Sequence, residues 1–163
     1  AKTSSSIALG ALNYYLLQVN PLKDMIFNPA ESISFNGNTG PYLQYMGARI
    51  SSMLERYKNE GGDRTKLTFD SSLLTLSDER ELIKQIALYP EVVARSGAEF
   101  DPSLICAFLY ELSRLFSRWY HDNPVLKAGS ESLVRARIEL SYMVMQVLKN
   151  AFALVGIPFL HSM

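Results

Sequence analysis

The sequence of 163 residues has few of the side chains on which most catalytic and metal sites depend. It contains one cysteine, Cys106, which excludes an internal disulfide and any Cys-x-x-Cys metal or redox site. Its two histidines, His121 and His161, make histidine-rich metal sites and Ser-His or Cys-His catalytic pairs poor candidates. Sixteen basic and sixteen acidic residues give no net charge, which excludes a domain that binds nucleic acid by bulk positive charge alone.

Long uninterrupted apolar runs are also absent. The best candidate for a membrane span, residues 140–160, is interrupted by Gln146, Lys149 and Asn150. The run from residue 7 to residue 17 loosely resembles a signal peptide, but it contains two tyrosines and no small-x-small cleavage site follows it. We therefore expect an ordinary buried helix there and no association with a membrane.

Charge is distributed unevenly along the chain. Residues 1–66 and residues 102–163 each carry a net charge of +2, whereas residues 67–101 carry −4. An anionic partner would be repelled by the middle of the chain and tolerated at either end. A solvated acidic helix accounts for the middle segment equally well.

The spacing of apolar residues is helical almost throughout, which predicts an all-α fold, a bundle of five to six helices. Pro41 and the pair Asp101-Pro102 suit helix starts, Ser77 or Asp78 can cap another, and Ser130 can cap the last long helix. The expected helices cover residues 5–19, 41–57, 77–89, 90–98, 102–123 and 130–155, with a single turn at 29–33. We expect the last of these to be the central and most buried helix.

Several side chains have plain structural interpretations. Cys106 and Trp119 are expected in the core, and Arg137 is expected to tie the last helix to a neighbour. Glu111, Arg114 and Arg118 are spaced for surface ion pairs, which contribute little each. A core-facing stripe is predicted at Ile105, Phe108, Leu109, Leu112, Phe116 and Trp119.

The helix at 41–57 is the one that presents two distinct faces. At 100° per residue, its apolar side chains fall in one arc between about 20° and 120° from Tyr42. These core-facing residues are Leu43, Met46, Ile50, Met53, Leu54 and Tyr57. Tyr42, Tyr45, Arg49 and Arg56 fall in a separate arc between about 300° and 360°.

The second arc has the chemistry that suits unstacked RNA. A tyrosine ring offers a flat surface on which a base can stack, and a guanidinium group can bind phosphate or a base edge. The tyrosines could instead cover a neighbouring helix, and the arginines could lie in solvent. A protein-interaction adaptor and a structural bundle that never contacts RNA therefore remain alternatives, and exposure of Tyr42, Tyr45 and Arg49 without core contacts would favour RNA.

Three segments resemble a known family. Residues 35–45, Phe-Asn-Gly-Asn-Thr-Gly-Pro-Tyr-Leu-Gln-Tyr, with Ala-Arg-Ile at 48–50, are similar to the start of the C-terminal domain of arginyl-tRNA synthetases. Residues 116–126 resemble a second block of that family, and residues 137–157 with the final Met163 resemble its last helix and end. Residues 82–94 and 102–112 are also similar, so the resemblance covers most of the chain.

This resemblance implies a helical anticodon-binding domain of a class I synthetase at residues 36–163, with residues 1–35 as the end of the connection to the catalytic domain. The family's pattern assigns anticodon-loop contacts to Tyr42, Tyr45 and Arg49, and a weaker one to Met163. It thus selects residues of the arc that the helical wheel separates from the core.

The resemblance also implies a function for a longer enzyme. An arginine–tRNA ligase uses ATP to attach arginine to its tRNA, with a His-x-Gly-His type motif and a Lys-Met-Ser-Lys-Ser type loop. Neither motif occurs in this sequence. We therefore expect a C-terminal fragment that is inactive alone and has no cofactor or metal, while ATP serves the full enzyme. Its expected partners are arginine tRNA and the catalytic domain of the same chain, with no DNA and no membrane. We expect a cytoplasmic monomer.

Overall fold

The computed structural model describes residues 2–64 and 70–163 of the chain. The predicted all-α bundle is confirmed, and no strand occurs in the described residues. The helices are α1 (Lys2–Leu17), α2 (Pro29–Ser32), α3 (Gly40–Asn59), α4 (Ser77–Ala87), α5 (Tyr89–Glu99), α6 (Ser103–Asp122) and α7 (Glu131–Leu154). Short 3₁₀ helices lie at Ser71–Leu73 and Val125–Lys127.

Helix α7 is central, as predicted, because it packs against α3, α4 and α6 and is buried along most of its length. The side chain of Ser130 accepts a hydrogen bond from the Leu133 N–H at 3.2 Å, so Ser130 is the N-cap of α7, as predicted. Gly156 follows the last turn with φ +65°, a left-handed conformation that favours glycine. The chain then leaves α7 and continues as segment 156–163.

Helix α6 supplies the largest core side chains. The predicted stripe is buried along its whole length, and Trp119 and Phe116 are fully inaccessible to solvent. The helix begins at Ser103, later than predicted, but Asp101 still accepts a hydrogen bond from the Ser103 N–H at 3.0 Å. Cys106 is fully buried, as predicted, and burial raises the pKa of its thiol to about 12.

The start of α4 differs from the prediction. Neither Ser77 nor Asp78 is the N-cap; Leu76 holds that position, and its N–H donates to the Glu79 carboxylate at 3.0 Å. Glu79 is fully buried, and its carboxylate also accepts a hydrogen bond from Arg137 Nε at 2.9 Å. The Glu79 carboxylate, and not the side chain of Ser77 or Asp78, therefore accepts a hydrogen bond from the backbone at the start of α4.

Helices α1 and α3 cross at a contact made by glycines. A Cβ atom added to Gly40 would lie 2.3 Å from the Gly10 carbonyl oxygen, and one added to Gly10 would lie 2.7 Å from the Gln44 carboxamide. At position 40 only glycine permits this approach, because a Cβ atom there would collide with the backbone of α1. Tyr14 of α1 is fully buried beside the crossing, and its hydroxyl contacts the Asn38 amide oxygen and the Cys106 carbonyl oxygen.

Among the described helices, none is long and apolar enough to cross a lipid bilayer.

Candidate nucleic-acid interface

An open groove lies along α3 where the helix meets the end of α6, the second 3₁₀ helix and the last residue of the sequence. Its volume is about 350 Å³. We call it the α3 groove, and it is lined by Tyr45, Ala48, Arg49, Ser52, Met53, Arg56, Tyr120, Leu126 and Met163. Three of the four residues that the sequence singled out, Tyr45, Arg49 and Met163, therefore lie together.

Helix α3 forms here because its first turn is well capped. Thr39 accepts a hydrogen bond from the Tyr42 N–H at 3.3 Å, and Pro41 lies in the first turn, where its missing N–H costs nothing. Of the six apolar residues that the helical wheel directs to the core, those at 43, 46, 50 and 53 are buried, while Leu54 and Tyr57 are half-buried and pack against the core. That burial fixes the rotation of the helix and directs Tyr45 and Arg49 into the groove.

Arg49 is held over an aromatic ring. Its guanidinium carbon lies 4.5 Å from the centre of the Tyr120 ring, a cation–π contact. The Tyr120 ring in turn stacks on Phe116, with ring centres 5.7 Å apart and planes 18° from parallel. Because Phe116 is fully buried, the core fixes the Tyr120 ring over which the Arg49 guanidinium group lies. No carboxylate in residues 2–64 or 70–163 forms an ion pair with Arg49.

Arg56, at the other end of the groove, is already paired. Its Nε donates to the Glu60 carboxylate one turn later at 2.8 Å. This hydrogen bond and the charge of Glu60 raise the pKa of Arg56. Of the two groove arginines, Arg49 is therefore the one whose positive charge is not compensated by an acidic side chain.

Tyr45 and Met163 present open apolar surface to the groove. Tyr45 is 46% exposed and Met163 is 45% exposed, although large apolar side chains usually lie inside. Both line the same cavity as Arg49. A ring, a thioether and a guanidinium group on one rim can contact a planar group by stacking and by hydrogen bonds.

Tyr42 departs from the expectation that it would be exposed and free of core contacts. It is half-buried, packs against the core and does not line the groove. Its ring centre lies 6.1 Å from that of Tyr110 on α6. Burial raises the pKa of the Tyr42 phenol, and a hydrogen bond with Ser117 partly offsets that rise. The first turn of α3 lies against α6, so its outer arc is partly covered there.

The groove residues contributed by α6 and by the second 3₁₀ helix were not identified as site residues from the sequence. Tyr120 follows Phe116 by one turn of α6, and Leu126 belongs to the Val125–Lys127 3₁₀ helix. Trp119 is fully buried and lies in the core, as expected. Arg137 pairs with Glu79, as the expected tie to a neighbouring helix.

A protein-family model describes residues 43–163 as a DALR anticodon binding domain. The chain belongs to this family. The family model thus covers α3 from Leu43 onward and all of the described elements that line the α3 groove. Tyr42 lies one residue before the matched region.

Similar curated proteins extend the comparison to the whole chain. The chain is 52% identical to the arginine–tRNA ligase of Treponema denticola and 40% identical to that of Borrelia duttonii. The matches include 100% and 99% of this chain but only 28% and 27% of the two relatives. The chain thus spans little more than a quarter of their length.

The fold of this chain is also found in solved structures of other proteins. The chain matches Thermus thermophilus arginyl-tRNA synthetase with a TM-score of 0.88 at 27% identity, over 99% of this chain and 27% of that one. It matches the Plasmodium falciparum arginyl-tRNA synthetase with a TM-score of 0.81 at 21% identity, over 99% of this chain and 28% of that chain. The second likeness concerns the fold alone.

Proposed function

We propose that this chain recognises the anticodon loop of an arginine tRNA as part of an arginine–tRNA ligase. The observation that carries the proposal is the meeting of Tyr45, Arg49 and Met163 in one open groove of an anticodon-binding domain. The names of the curated relatives support the arginine specificity.

The groove suits bases that have left a helical stack. Paired RNA hides its base edges in a deep, narrow groove, so sequence-specific proteins usually bind unpaired loop bases. Tyr45 would stack on one such base, a contact that contributes about 1–3 kcal/mol. Arg49, oriented by Tyr120, would donate to a base edge or an adjacent phosphate. Met163 would contact the same base, and Tyr42 would add the exposed edge of its ring.

The whole ligase would contain much more than this chain. We assign the ATP and arginine sites, and hence catalysis, to the part of the relatives that this chain does not cover. The isolated chain should therefore catalyse no arginine-dependent exchange between ATP and pyrophosphate. Such exchange by the purified chain would contradict this assignment.

We propose that residues 1–35 connect to the catalytic domain and that residues 36–163 form the anticodon-binding domain. Support comes from large apolar side chains that residues 1–35 leave exposed, which is unusual for a free surface. They are Leu9, Leu12, Leu16, Leu22, Ile26, Phe27, Ile33 and Phe35. On this proposal the catalytic domain covers them, and the ligase acts as a cytoplasmic monomer on tRNA and not on DNA.

The test is a titration of the chain with an arginine tRNA anticodon stem-loop and with the same stem carrying a different loop sequence. We expect preference for the arginine loop and about a tenfold loss of affinity in Tyr45→Ala and in Arg49→Ala, since each removes one contact of roughly 1–3 kcal/mol. With no net charge and one uncompensated groove arginine, affinity should fall only modestly with salt.

The matched control is Arg95→Ala on α5. Arg95 is an exposed arginine that pairs with Glu99 within its own helix, and it does not line the groove. Its substitution should leave RNA affinity unchanged. Equal affinity for both loops, or equal losses in Arg49→Ala and Arg95→Ala, would favour the alternative of a helical protein-interaction or structural bundle.

A further inference from the structure

Segment 156–163 is held against α1 and α3 by three polar contacts after α7 ends. Asn13 of α1 donates to the Gly156 carbonyl oxygen at 2.6 Å, and Gln44 of α3 donates to the Pro158 carbonyl oxygen at 2.8 Å. Farther along, the Ser51 hydroxyl lies 3.3 Å from Nδ1 of His161. The segment has no helix or strand of its own, so these contacts and its apolar packing determine its path.

Phe159 provides the apolar part of this attachment. Its ring centre lies 5.9 Å from that of Phe152 and 5.0 Å from the imidazole of His161. The ring lies against Gly47 of α3, where an added Cβ atom would be 2.8 Å from a ring carbon. A side chain at position 47 would therefore displace Phe159.

Gln44 joins the segment to the first helix. Its side chain is fully buried, and its Nε2 donates both to the Ser6 carbonyl oxygen at 3.1 Å and to the Pro158 carbonyl oxygen at 2.8 Å. Its Oε1 is buried with no hydrogen-bond partner among the described residues. Burying an unpaired polar atom costs stability, so Gln44 is not explained by core packing alone.

The contacts of the segment occupy one face of α3, and the groove occupies the adjacent one. Residues 44, 47 and 51 follow helical spacing and contact the segment, whereas residues 45, 49 and 52 line the groove. The segment ends at Met163, whose side chain reaches the groove. The same helix therefore carries the RNA-facing residues and the attachment of the segment that brings Met163 to them.

We propose that Gln44 and Gly47 are positioning residues for RNA binding, because they hold segment 156–163 so that Met163 closes the groove beside Tyr45. This inference rests on the proposed function and adds a role for two residues that do not contact RNA. Gly47 leaves room for Phe159, and Gln44 fixes the backbone at Pro158.

The experiment compares Gly47→Val with Gly97→Val, alone and combined with Met163→Ala. Gly97 is the matched control, because a Cβ added to this helical glycine of α5 meets nothing within 4 Å. We expect Gly47→Val to weaken stem-loop binding about three- to tenfold, as Met163→Ala does, and to add no further loss in the double variant. Gln44→Met, which keeps the side-chain length but removes the donor, should behave like Gly47→Val. Gly97→Val should bind like the unchanged chain.

A second readout does not need RNA. With ¹³C-methyl methionine, the Met163 methyl resonance should shift in Gly47→Val and in Gln44→Met but not in Gly97→Val. The inference would be overturned if the double variant lost as much stem-loop affinity as the product of the two single losses. It would also be overturned if the Met163 methyl resonance did not shift in Gly47→Val. If Tyr45→Ala weakens binding and Gly47→Val does not, the proposed function stands and this inference fails. If neither the unchanged chain nor any variant binds the stem-loop, the proposed function fails instead.

Discussion

Arg137 of α7 and Glu79 of α4 form an ion pair inside the protein, with 2.9 Å between Arg137 Nε and Glu79 Oε1. The Glu79 carboxylate also accepts the Leu76 N–H, so it serves both as the cap of α4 and as the tie between two helices. A buried charge is stable only while its partner remains.

Removing one partner of this pair should therefore be costly. We expect Arg137→Met to lower the free energy of unfolding by about 3–5 kcal/mol, because it leaves the Glu79 carboxylate buried without its counter-charge. The double variant Glu79→Leu/Arg137→Met should recover most of that loss. Urea unfolding followed by circular dichroism measures both. A single variant within about 1 kcal/mol of the unchanged chain would contradict the expectation.

Substitutions of Tyr42 and Tyr45 should have different effects on the free energy of unfolding. Tyr42 packs against the core, so Tyr42→Ala should lower the free energy of unfolding by about 2 kcal/mol or more, while Tyr42→Phe should cost much less. Tyr45 is exposed, so Tyr45→Ala should stay within about 0.5 kcal/mol. Thermal unfolding of the three variants tests this contrast, and equal losses at both positions would refute it.

Tyr120 should influence RNA binding through Arg49. Tyr120→Phe keeps an aromatic face under the guanidinium group, so stem-loop affinity should change less than about twofold. Tyr120→Leu removes that face and should weaken binding about fivefold. In an Arg49→Ala background the two Tyr120 variants should bind equally well. A difference that persists there would mean that Tyr120 acts independently of Arg49.

Cys106 should make stability fall at alkaline pH. Its pKa is raised by burial to about 12 in the folded chain, so the folded state disfavours the thiolate. The stabilisation that the neutral Cys106 thiol gives to the folded chain is fully present below the ordinary thiol pKa, near 9. It is lost as the pH rises from there to about 12. Cys106→Ala should make the fall in unfolding free energy over this range shallower, by up to about 1.4 kcal/mol per pH unit. Unfolding in urea at pH 7, 9 and 10.5 measures the slope, and identical slopes would contradict it.

Much of the fold could be predicted from the sequence because helix spacing and caps are local signals. Ser130 and Gly156 mark the ends of α7 correctly, and the apolar stripe of α6 lies in the core as predicted. The N-cap of α4 was predicted one or two residues too late, because Ser77 and Asp78 both suit that position while the Glu79 carboxylate instead accepts the Leu76 N–H. The ion pair between Glu79 and Arg137 joins residues far apart in the chain, so no local pattern near α4 predicts it.

The site was predictable where it depends on one helix. The wheel places Tyr45 and Arg49 on one arc of α3, and both line the groove. It could not reveal that α6 covers Tyr42, nor that Tyr120 lies beneath Arg49, because both depend on how two helices cross. Met163 came from the family resemblance alone, since no periodicity predicts the path of segment 156–163.

The contact between Gly10 and Gly40 has a mechanical consequence. The Gly10 carbonyl oxygen lies only 2.3 Å from the place where a Gly40 Cβ would be, so the two backbones pass each other with no side chain between them. Close-packed contacts transmit strain, so a displacement of α1 here should reach the first turn of α3 directly. Because α3 is about 30 Å long and also carries Tyr45 and Arg49, such a displacement would reach the groove through a single helix.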